Sequence, residues 1–252
     1  MNKEISSKKD AYGQEVWAYL NGKKWYEVIE RDDSFFDVSP GGEDYFQAFK
    51  GWPKHQRQAI KFVRGRVLDV GAGAGRVSLY LQKKGLKVTA IDNSPLAIRV
   101  CKKRGVKDAR VLPIEKIAIF KPNTFDSIVM YGNNFGLFGS FKKAKMLLKK
   151  LYRITTPRAV IIAECNDPYK TKDPAHISYH KFNLRRGRMA GQLRIRLRIR
   201  NYIGDWFDYL IVSRPEMRNI LKGTGWKVKK FVDSGRSMYV AVIEKEAAKG
   251  KF

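Results

Sequence analysis

A glycine-rich turn is the part of the sequence with the clearest chemistry. In VLDVGAGAGR, residues 67–76, an apolar run is followed directly by glycines at alternate positions. Glycine lets the backbone turn sharply and approach a ligand without interference from a Cβ atom. If a helix begins at Arg76, its first N–H groups are also free to bind a ligand. The pattern therefore predicts a ligand-binding loop at the carboxyl end of a buried strand.

The spacing of these glycines argues against one common class of ligand. Dinucleotide-binding loops follow the pattern G-x-G-x-x-G, which, starting at Gly71, would require a glycine where Arg76 stands. The side chain of Arg76 would crowd the pyrophosphate and the contact between helix and strand. The loop is therefore not expected to bind a dinucleotide.

The loop instead reads D-x-G-x-G-x-G, which resembles the first motif of class I S-adenosylmethionine-dependent methyltransferases. Asp92 ends the strand-like VTAID about 17 residues after Gly75, where that family places an acid that binds the ribose hydroxyls. The resemblance covers about residues 60–250 and continues through FDSIVMYGNNFGLFG, GTGWKVKKFVDS and MYVAVIE. It implies S-adenosylmethionine as the cofactor.

The resemblance also implies which residues contact that cofactor. Near the adenine amino group the family commonly has an acid followed by a small apolar residue, but this chain has Pro113-Ile114-Glu115. Adenine is therefore expected to meet the backbone and Ile114, with Glu115 as a substitute for the acid. The full expected set is Asp69, Gly71, Ala72, Gly73, Gly75, Asp92, Asn93, Ile114, Glu115 and Tyr131.

The methyl acceptor is expected beside the loop that follows the fourth strand. Transfer from a sulfonium leaves a thioether that needs no proton, so catalysis can come mainly from positioning, with a base only for a protonated acceptor. Tyr131, Asn133 and Asn134 are predicted to position the acceptor. The loop lacks both the D/N-P-P-Y/F signature of enzymes that methylate base amines and a Pro-Cys nucleophile. Cys165 is expected to be a core residue.

Other polar residues are further candidates for the acceptor site. Imidazole can act as a base near neutral pH, but histidines in loops are expected to be solvated, and no third ligand at a recognisable spacing supports a metal site. These candidates are Glu164, Asn166 and Asp167 after the fifth strand, His55, His176 and His180, and Asp32, Asp33 and Tyr45 in the N-terminal region.

Residues 193–200 read LRIRLRIR, with an arginine at every second position. In a strand, successive side chains point to opposite faces, so the arginines share one face and the aliphatic residues share the other. The guanidinium groups either protect an exposed edge from aggregation or hold a phosphate or carboxylate of the acceptor. We expect the second role, because the segment interrupts the methyltransferase-like pattern on the acceptor side. The predicted substrate residues are Arg194, Arg196, Arg198, Arg200 and Tyr209.

The elements that position these residues form an α/β pattern. Apolar strands alternate with helices of about 10 to 15 residues, which indicates a parallel sheet. With the resemblance, we expect a Rossmann-like, seven-stranded, mostly parallel sheet with helices on both faces. Residues 1–54, including AYGQEVWAYL and KKWYEVIE, are predicted to form a helical cap, and residues 55–167 and 214–252 the core. Residues 168–213 are predicted to be an inserted polar loop and an antiparallel hairpin that turns at residues 203–205.

Composition limits the cellular context and the partners. The 51 Lys and Arg residues exceed the 24 Asp and Glu residues by 27, an excess that attracts polyanions. We therefore expect a methyltransferase for a small or medium, anionic acceptor, with an RNA methyltransferase and a non-catalytic nucleic-acid-binding protein as alternatives. No run approaches the ~18 apolar residues of a membrane span, no signal peptide is recognised, and there are two cysteines. These observations predict a cytoplasmic protein without a membrane partner and leave its oligomeric state open.

Overall fold

The computed structural model describes residues 8–39 and 41–246. In these ranges the chain forms eight α-helices and twelve strands. The helices are α1 Ala11–Leu20, α2 Gly42–Phe46, α3 Lys54–Ala59, α4 Arg76–Lys83, α5 Pro95–Lys103, α6 Phe141–Ile154, α7 Pro174–Arg185 and α8 Arg214–Leu221. The strands are β1 Glu27–Arg31, β2 Phe36–Ser39, β3 Arg66–Val70, β4 Lys87–Asp92, β5 Ala109–Val111, β6 Phe125–Met130, β7 Thr155–Asn166, β8 Gln192–Ile199, β9 Tyr202–Ile203, β10 Phe207–Leu210, β11 Trp226–Asp233 and β12 Met238–Lys245.

Seven strands form the main sheet, in the order β11-β12-β7-β6-β3-β4-β5. Strands β3 to β7 are parallel to one another, and β12 runs antiparallel to both β7 and β11. The strand order reverses between β3 and β6, because β4 lies on one side of β3 and β6 lies on the other. This architecture confirms the predicted fold class.

Helices cover both faces of the main sheet because the strand residues alternate between two apolar cores. Leu68 of β3 packs in the core that includes α6 and α8, whereas Val67 packs in the core that includes Trp52 and Val77. Both valine and leucine are fully buried. Burial on both faces explains why the strands read as continuous apolar runs. The carboxyl ends of β3, β4 and β6 therefore meet at one well-supported edge.

A second, antiparallel sheet joins the two segments that the sequence placed outside the core. Its order is β10-β8-β1-β2, with β9 paired to β8. The prediction that KKWYEVIE is helical is wrong, since it contains β1, which lies between β2 and β8. The polar stretch expected to be a loop contains α7. Asp173 is the N-cap of this helix, its side chain accepts a hydrogen bond from Ala175 N, and Pro174 lies in the first turn. The N-terminal cap is thus mixed α and β.

The predicted hairpin exists, but its turn lies earlier than expected. Strand β8 reverses at residues 200–201, where Arg200 has φ of 54°, and pairs first with β9 and then with β10. Ile203 and Gly204 therefore lie after the turn rather than in it. Position 200 belongs to the turn, so its side chain does not continue the row of strand arginines.

Candidate active site

A cleft of about 580 Å³ lies between the edge of the main sheet and the antiparallel sheet. Its floor comes from the loops after β3, β4, β5 and β6, and its roof comes from α1, β1, β8 and β10. Small-molecule sites commonly measure ~300–1,000 Å³, so this cleft has the size of a ligand site. The main sheet reverses its strand order at the same edge, where open α/β sheets bind their ligands.

The glycine loop and Asp92 form the floor of this cleft. Gly71 and Gly73 have φ of 69° and 56°, values that favour glycine, and both line the cleft. One oxygen of Asp92 accepts from Gly73 N at 2.9 Å, and the other accepts from Ser94 N at 2.9 Å. Burial raises the pKa of Asp92 to about 6, although these backbone bonds oppose the increase. Asp92 is thus held by the loop that it supports.

Gly75 is the one predicted cofactor residue that does not line the cleft. A Cβ on Gly75 would lie 2.7 Å from Val106 and 3.1 Å from the sulfur of Cys101, and its φ is 79°. A glycine is needed at this position because the chain turns into α4 here and packs closely against α5 and the residues that follow α5. Gly75 therefore has a packing role, and its contact with the cofactor stays a prediction.

Asp69 lies beneath the glycine loop and is almost fully buried. Its Oδ2 accepts from the Ser78 hydroxyl at 2.6 Å, which ties β3 to α4. Burial raises the pKa of Asp69 to about 6, against the effect of the Ser78 bond. Along the same cleft, Ile114 and Glu115 follow β5, and Glu115 pairs with Lys143 at 2.5 Å. The remaining predicted floor residues, Ala72 and Asn93, also line the cleft.

The loop after β6 reaches the cleft, but its side chains have structural partners. The Tyr131 hydroxyl donates to Gln56 O at 2.8 Å, and Asn133 Oδ1 accepts from Asn166 N at 2.8 Å. Asn134 Nδ2 donates to the carbonyl oxygens of Val70 and Gly71 at 3.0 and 2.9 Å. Asn134 therefore holds the glycine loop in place, and the space beside Gly71 that a Cβ would fill is taken by its amide.

Glu164 fixes the same loop from below. Its carboxylate accepts from Gly132 N at 2.7 Å and Asn133 N at 3.3 Å, and it also meets His55 Nε2 at 2.6 Å. Burial alone would raise the pKa of Glu164, but hydrogen bonds from His55 and Gln56 outweigh it and hold the pKa below its usual value. Glu164 and His55 are thus support for the loop, not groups that face the cleft.

The N-terminal segment contributes a wall that the sequence did not reveal, apart from Tyr45. Asp10 caps α1 through Gly13 N and also accepts from Ser94 Oγ at 2.9 Å, which docks α1 on the start of α5. The Tyr12 hydroxyl lies 2.3 Å from the place where a Cβ on Gly73 would stand. Tyr12 packs edge-on against Tyr45, and the Tyr45 hydroxyl donates to Glu27 Oε2 at 3.2 Å.

The apolar face of β8, rather than its arginine face, forms the opposite wall. Ile195 and Leu197 line the cleft together with Ile29 of β1, which is paired with Leu197. Tyr209 of β10 also lines it, and its hydroxyl donates to Asn133 O at 2.6 Å. The ring of Tyr209 occupies the space beside Gly136. The antiparallel sheet is thereby docked on the acceptor loop.

Arg194, Arg196 and Arg198 lie on the outer side of this sheet, Arg200 lies in the turn after β8, and none of the four lines the cleft. Arg196 and Arg198 both bind Glu30, which stands opposite Arg196 on β1, and Arg194 binds Asp208 at 3.4 Å. The Arg200 guanidinium lies over Trp25 at 5.4 Å. The prediction that these arginines hold the substrate is therefore corrected: their partners are acids and an aromatic ring of the same chain. Asp208 lies on the strand that the sequence did pair with β8, whereas Glu30 lies on β1, which the sequence did not place there.

The remaining candidates lie away from the cleft, as does the cysteine expected in the core. Asp32 accepts from Tyr179, Asp33 from Arg31, and His176 contacts Arg31 at 2.9 Å. His180 packs near Tyr169, and Asp167 pairs with Arg214. Cys165 is fully buried, and burial raises its pKa to about 12, which confirms a core role. Within residues 8–39 and 41–246, no group of three or more His, Cys, Asp or Glu is arranged to hold a metal ion.

The floor of the cleft fits S-adenosylmethionine chemically. The side-chain-free backbone at Gly71 and Gly73 can approach the methionine part, and Arg76 lines the cleft at the start of α4, where it can meet a carboxylate. Each oxygen of Asp92 has one backbone donor and lone pairs left for the two ribose hydroxyls. Ile114 and Leu112 offer an apolar surface to adenine.

Comparison with known proteins agrees with this geometry. Residues 68–163 match a model of the methyltransferase domain. A solved S-adenosylmethionine-dependent methyltransferase from Bacteroides fragilis, in complex with S-adenosyl-L-homocysteine, is 27% identical and superposes with a TM-score of 0.82. That match covers 97% of this chain and 98% of the Bacteroides chain.

Two curated relatives match over shorter stretches. The ubiquinone biosynthesis O-methyltransferase of Xylella fastidiosa is 41% identical over 34% of this chain and 44% of the relative. The tRNA (uracil(54)-C(5))-methyltransferase of Pyrococcus horikoshii is 28% identical over 49% of this chain and 29% of the relative. The chain thus spans less than half the length of these curated relatives.

The matched domain begins within β3 and ends within β7, so it carries most of the floor of the cleft, and the match with the Bacteroides structure covers 97% of this chain. No helix in the described part of the chain is long and apolar enough to cross a membrane. The chain therefore contains a methyltransferase domain and has the fold of class I S-adenosylmethionine-dependent methyltransferases.

Proposed function

We propose that the protein transfers the methyl group of S-adenosylmethionine to a small, largely apolar acceptor that carries a hydroxyl or amine. The observation that carries the proposal is the composition of the cleft: cofactor-type residues form its floor, and a wall of Ile29, Leu197 and Tyr209 faces them. When bound, the cofactor supplies a methyl group on a sulfonium. The wall holds the acceptor over the floor and limits the access of water.

The structure does not support the prediction that the acceptor is negatively charged. It rested on the arginines of β8, which are engaged by Glu30 and Asp208 outside the cleft. Two of the other cations that line the cleft, Lys9 and Lys143, are paired with acids. The acceptor wall is thus better suited to a neutral or cationic molecule. The ubiquinone biosynthesis O-methyltransferase among the relatives agrees with an acceptor that is methylated on oxygen.

Cofactor binding and methyl transfer can be tested separately. Calorimetry with S-adenosylmethionine is expected to show binding by the wild type, and weakened binding by Asp92→Ala and by Gly73→Arg, whose side chain would collide with Tyr12. Glu43→Ala, which removes an exposed acid of α2, serves as the control. Methyl-labelled cofactor is then incubated with phenols, aromatic amines and total RNA, and the products are identified by mass spectrometry. Absence of cofactor binding by the wild type would overturn the proposal.

An RNA acceptor is the second candidate, favoured by the net charge of +27 and by the tRNA methyltransferase relative. The described structure gives no nucleophile for the C5 chemistry named for that relative, because Cys165 is buried away from the cleft. Label that appears in RNA and not in small molecules would favour this candidate. The cytoplasmic location stays a prediction.

A further inference from the structure

Two buried carboxyl groups lie side by side where the N-terminal segment meets the cleft. Glu15 of α1 and Glu27 of β1 are 1% and 5% exposed. Among the described residues, neither oxygen of Glu15 has a hydrogen-bond donor in good geometry, although the backbone N–H of Gly42 is near enough to oppose the rise of its pKa. Within residues 8–39 and 41–246, neither acid is in a salt bridge with a lysine or arginine. Two buried carboxyl groups without a cation nearby repel each other when both are ionised. The pair is therefore stable only when one of the two groups keeps its proton.

The pKa values of both carboxyl groups are shifted in the direction that a shared proton requires. Burial and the negative charge of Glu27 raise the pKa of Glu15 to about 10, so Glu15 holds its proton at neutral pH. Burial also raises the pKa of Glu27, although hydrogen bonds from Glu15 and Tyr45 oppose the increase. The nearby carboxylate of Asp37 on β2 raises it further. Glu27 is therefore the member of the pair that ionises first.

Glu27 is also the member that faces the ligand. It lines the cleft, whereas Glu15 stands behind it. Glu27 and Ile29 share the inner face of β1, so the carboxylate stands at one end of the apolar acceptor wall. A chain of contacts connects the glycine loop to Glu27. Tyr12 lies beside Gly73 of the loop, Tyr45 packs on Tyr12, and the Tyr45 hydroxyl donates a hydrogen bond to Glu27. An acceptor that fills the space between the loop and the apolar wall thus meets Glu27 with its polar group.

We propose that Glu27 is the catalytic base that takes the proton of the acceptor, and that Glu15 is the positioning residue that keeps the pair singly protonated. This inference rests on the proposed methyltransferase function. In the step, a lone pair of the acceptor oxygen or nitrogen forms the bond to the methyl carbon. The carbon–sulfur bond breaks and leaves its electron pair on sulfur, and the acceptor's proton passes to Glu27 and then to solvent. A carboxylate with a raised pKa is better matched to this task near neutral pH than an ordinary one.

The same pair sets the charge of the preferred acceptor. A hydroxyl or amine can donate to the Glu27 carboxylate, whereas a carboxylate on the acceptor would be repelled by it. We expect catechol and 2-aminophenol to be methylated at least ~10-fold more efficiently, in kcat/KM, than the same rings with an added carboxylate.

The test compares Glu27→Gln, Tyr45→Phe and the control Glu43→Gln, which removes an exposed acid from α2. Glu27→Gln should lower kcat ~100-fold or more while the Kd for S-adenosylmethionine stays within about threefold. The kcat of the wild type should fall at acidic pH as Glu27 is protonated. Tyr45→Phe removes a donor that lowers the pKa of Glu27, so this acid limb should move to higher pH. An unchanged kcat in Glu27→Gln would overturn the proposal.

A second measurement does not depend on turnover. In protein labelled with ¹³C at glutamate carboxyl carbons, the signals of Glu15 and Glu27, assigned through Glu15→Gln and Glu27→Gln, should titrate as a coupled pair above the usual range. Two independent titrations near the ordinary value of ~4.3, with cofactor binding intact, would overturn the pair and leave the methyltransferase function standing. Loss of cofactor binding by the wild type would instead count against the proposed function.

Discussion

Asp92 shows how a single carboxylate serves both the fold and the ligand. It accepts hydrogen bonds from the backbone N–H groups of Gly73 and Ser94, and burial raises its pKa to about 6. The sequence predicted its position from its distance to the glycine loop. The raised pKa could not be predicted, because it depends on how completely α1 and α5 cover the end of β4.

The first prediction concerns the pH dependence of cofactor affinity. Ribose hydroxyls bind the ionised form of Asp92, so binding lowers its pKa, and affinity is lost as pH falls through about 6. We expect the Kd for S-adenosylmethionine, measured by calorimetry, to rise about tenfold between pH 7 and pH 5. Asp92→Asn should bind ~10-fold or more weakly at pH 8 and show a shallower pH dependence, with Asp69 as the remaining titrating acid. A Kd that is constant from pH 8 to pH 5 would contradict the assignment.

The role of Asn134 could not be inferred from its residue type alone. An asparagine after the fourth strand suggests a group that positions the acceptor, but its amide donates to Val70 O and Gly71 O. Gly75 is similar, since its spacing fits the cofactor motif while its contacts are with Val106 and Cys101. Spacing predicts which residues reach an edge of the sheet. It does not predict which of them are already engaged by neighbouring backbone.

The second prediction tests this structural role of Asn134. Asn134→Ala leaves two backbone carbonyls without their side-chain donor, which should cost about 1–3 kcal/mol of stability. The Tm should fall, and the Kd for the cofactor should rise because the glycine loop is less well held. Asn201→Ala, at an exposed position in the turn after β8, is the control for both measurements. A lower kcat with unchanged Tm and Kd would restore the acceptor-positioning role.

At the scale of elements, strand β8 has two faces with different tasks. Its aliphatic face closes the cleft, and its arginine face binds Glu30 and Asp208 across the sheet. Alternation along LRIRLRIR predicted the two faces correctly. The partners of the arginines could not be predicted, because Glu30 lies 166 residues away on a strand that the sequence pattern assigned to a helix.

The third prediction follows from the partners of these arginines. The double variant Arg196→Gln, Arg198→Gln should leave both the cofactor Kd and the acceptor KM unchanged while lowering the Tm. The loss of stability at pH 7 should be modest, because the two side chains are 24% and 34% exposed and solvent weakens their charge-assisted hydrogen bonds. A raised KM with an unchanged Tm would return these residues to substrate binding.

The fourth prediction uses the pKa of Glu30 as a check on the same ion pairs. The Arg196 hydrogen bond, assisted by Arg198, lowers the pKa of Glu30 to about 2. A lowered carboxyl pKa stabilises the fold above its unfolded value of ~4.3, and this contribution is lost as pH falls from there toward 2. The difference in Tm between wild type and Glu30→Gln should therefore be present at pH 7 and shrink progressively below pH 4. A difference that does not depend on pH would show that the ion pairs contribute nothing.

At the scale of the whole molecule, the charge is distributed unevenly between the surface and the cleft. The chain carries a net charge of +27, yet the cleft is lined by Asp10, Glu27, Asp69 and Asp92. The α6 helix is an example of the basic surface: its leucines are buried in the core, while Lys142 and Lys149 are exposed. Attraction of polyanions to the surface and chemistry in the cleft are thus separate properties of the molecule.

The last prediction separates the two properties by salt. If the basic surface binds RNA through ~6–10 phosphate contacts, the affinity should fall ~10³- to 10⁵-fold between 50 and 200 mM salt. Over the same range, the cofactor Kd and the turnover of a small phenol should change by less than about twofold, because the acceptor cleft depends on apolar contacts and local hydrogen bonds. Both can be measured on one preparation, by fluorescence anisotropy with labelled RNA and by product formation. Methylation of RNA at 50 mM salt that is lost at 200 mM together with RNA binding would show that the surface delivers a substrate to the cleft, and the small-acceptor function would then have to be abandoned.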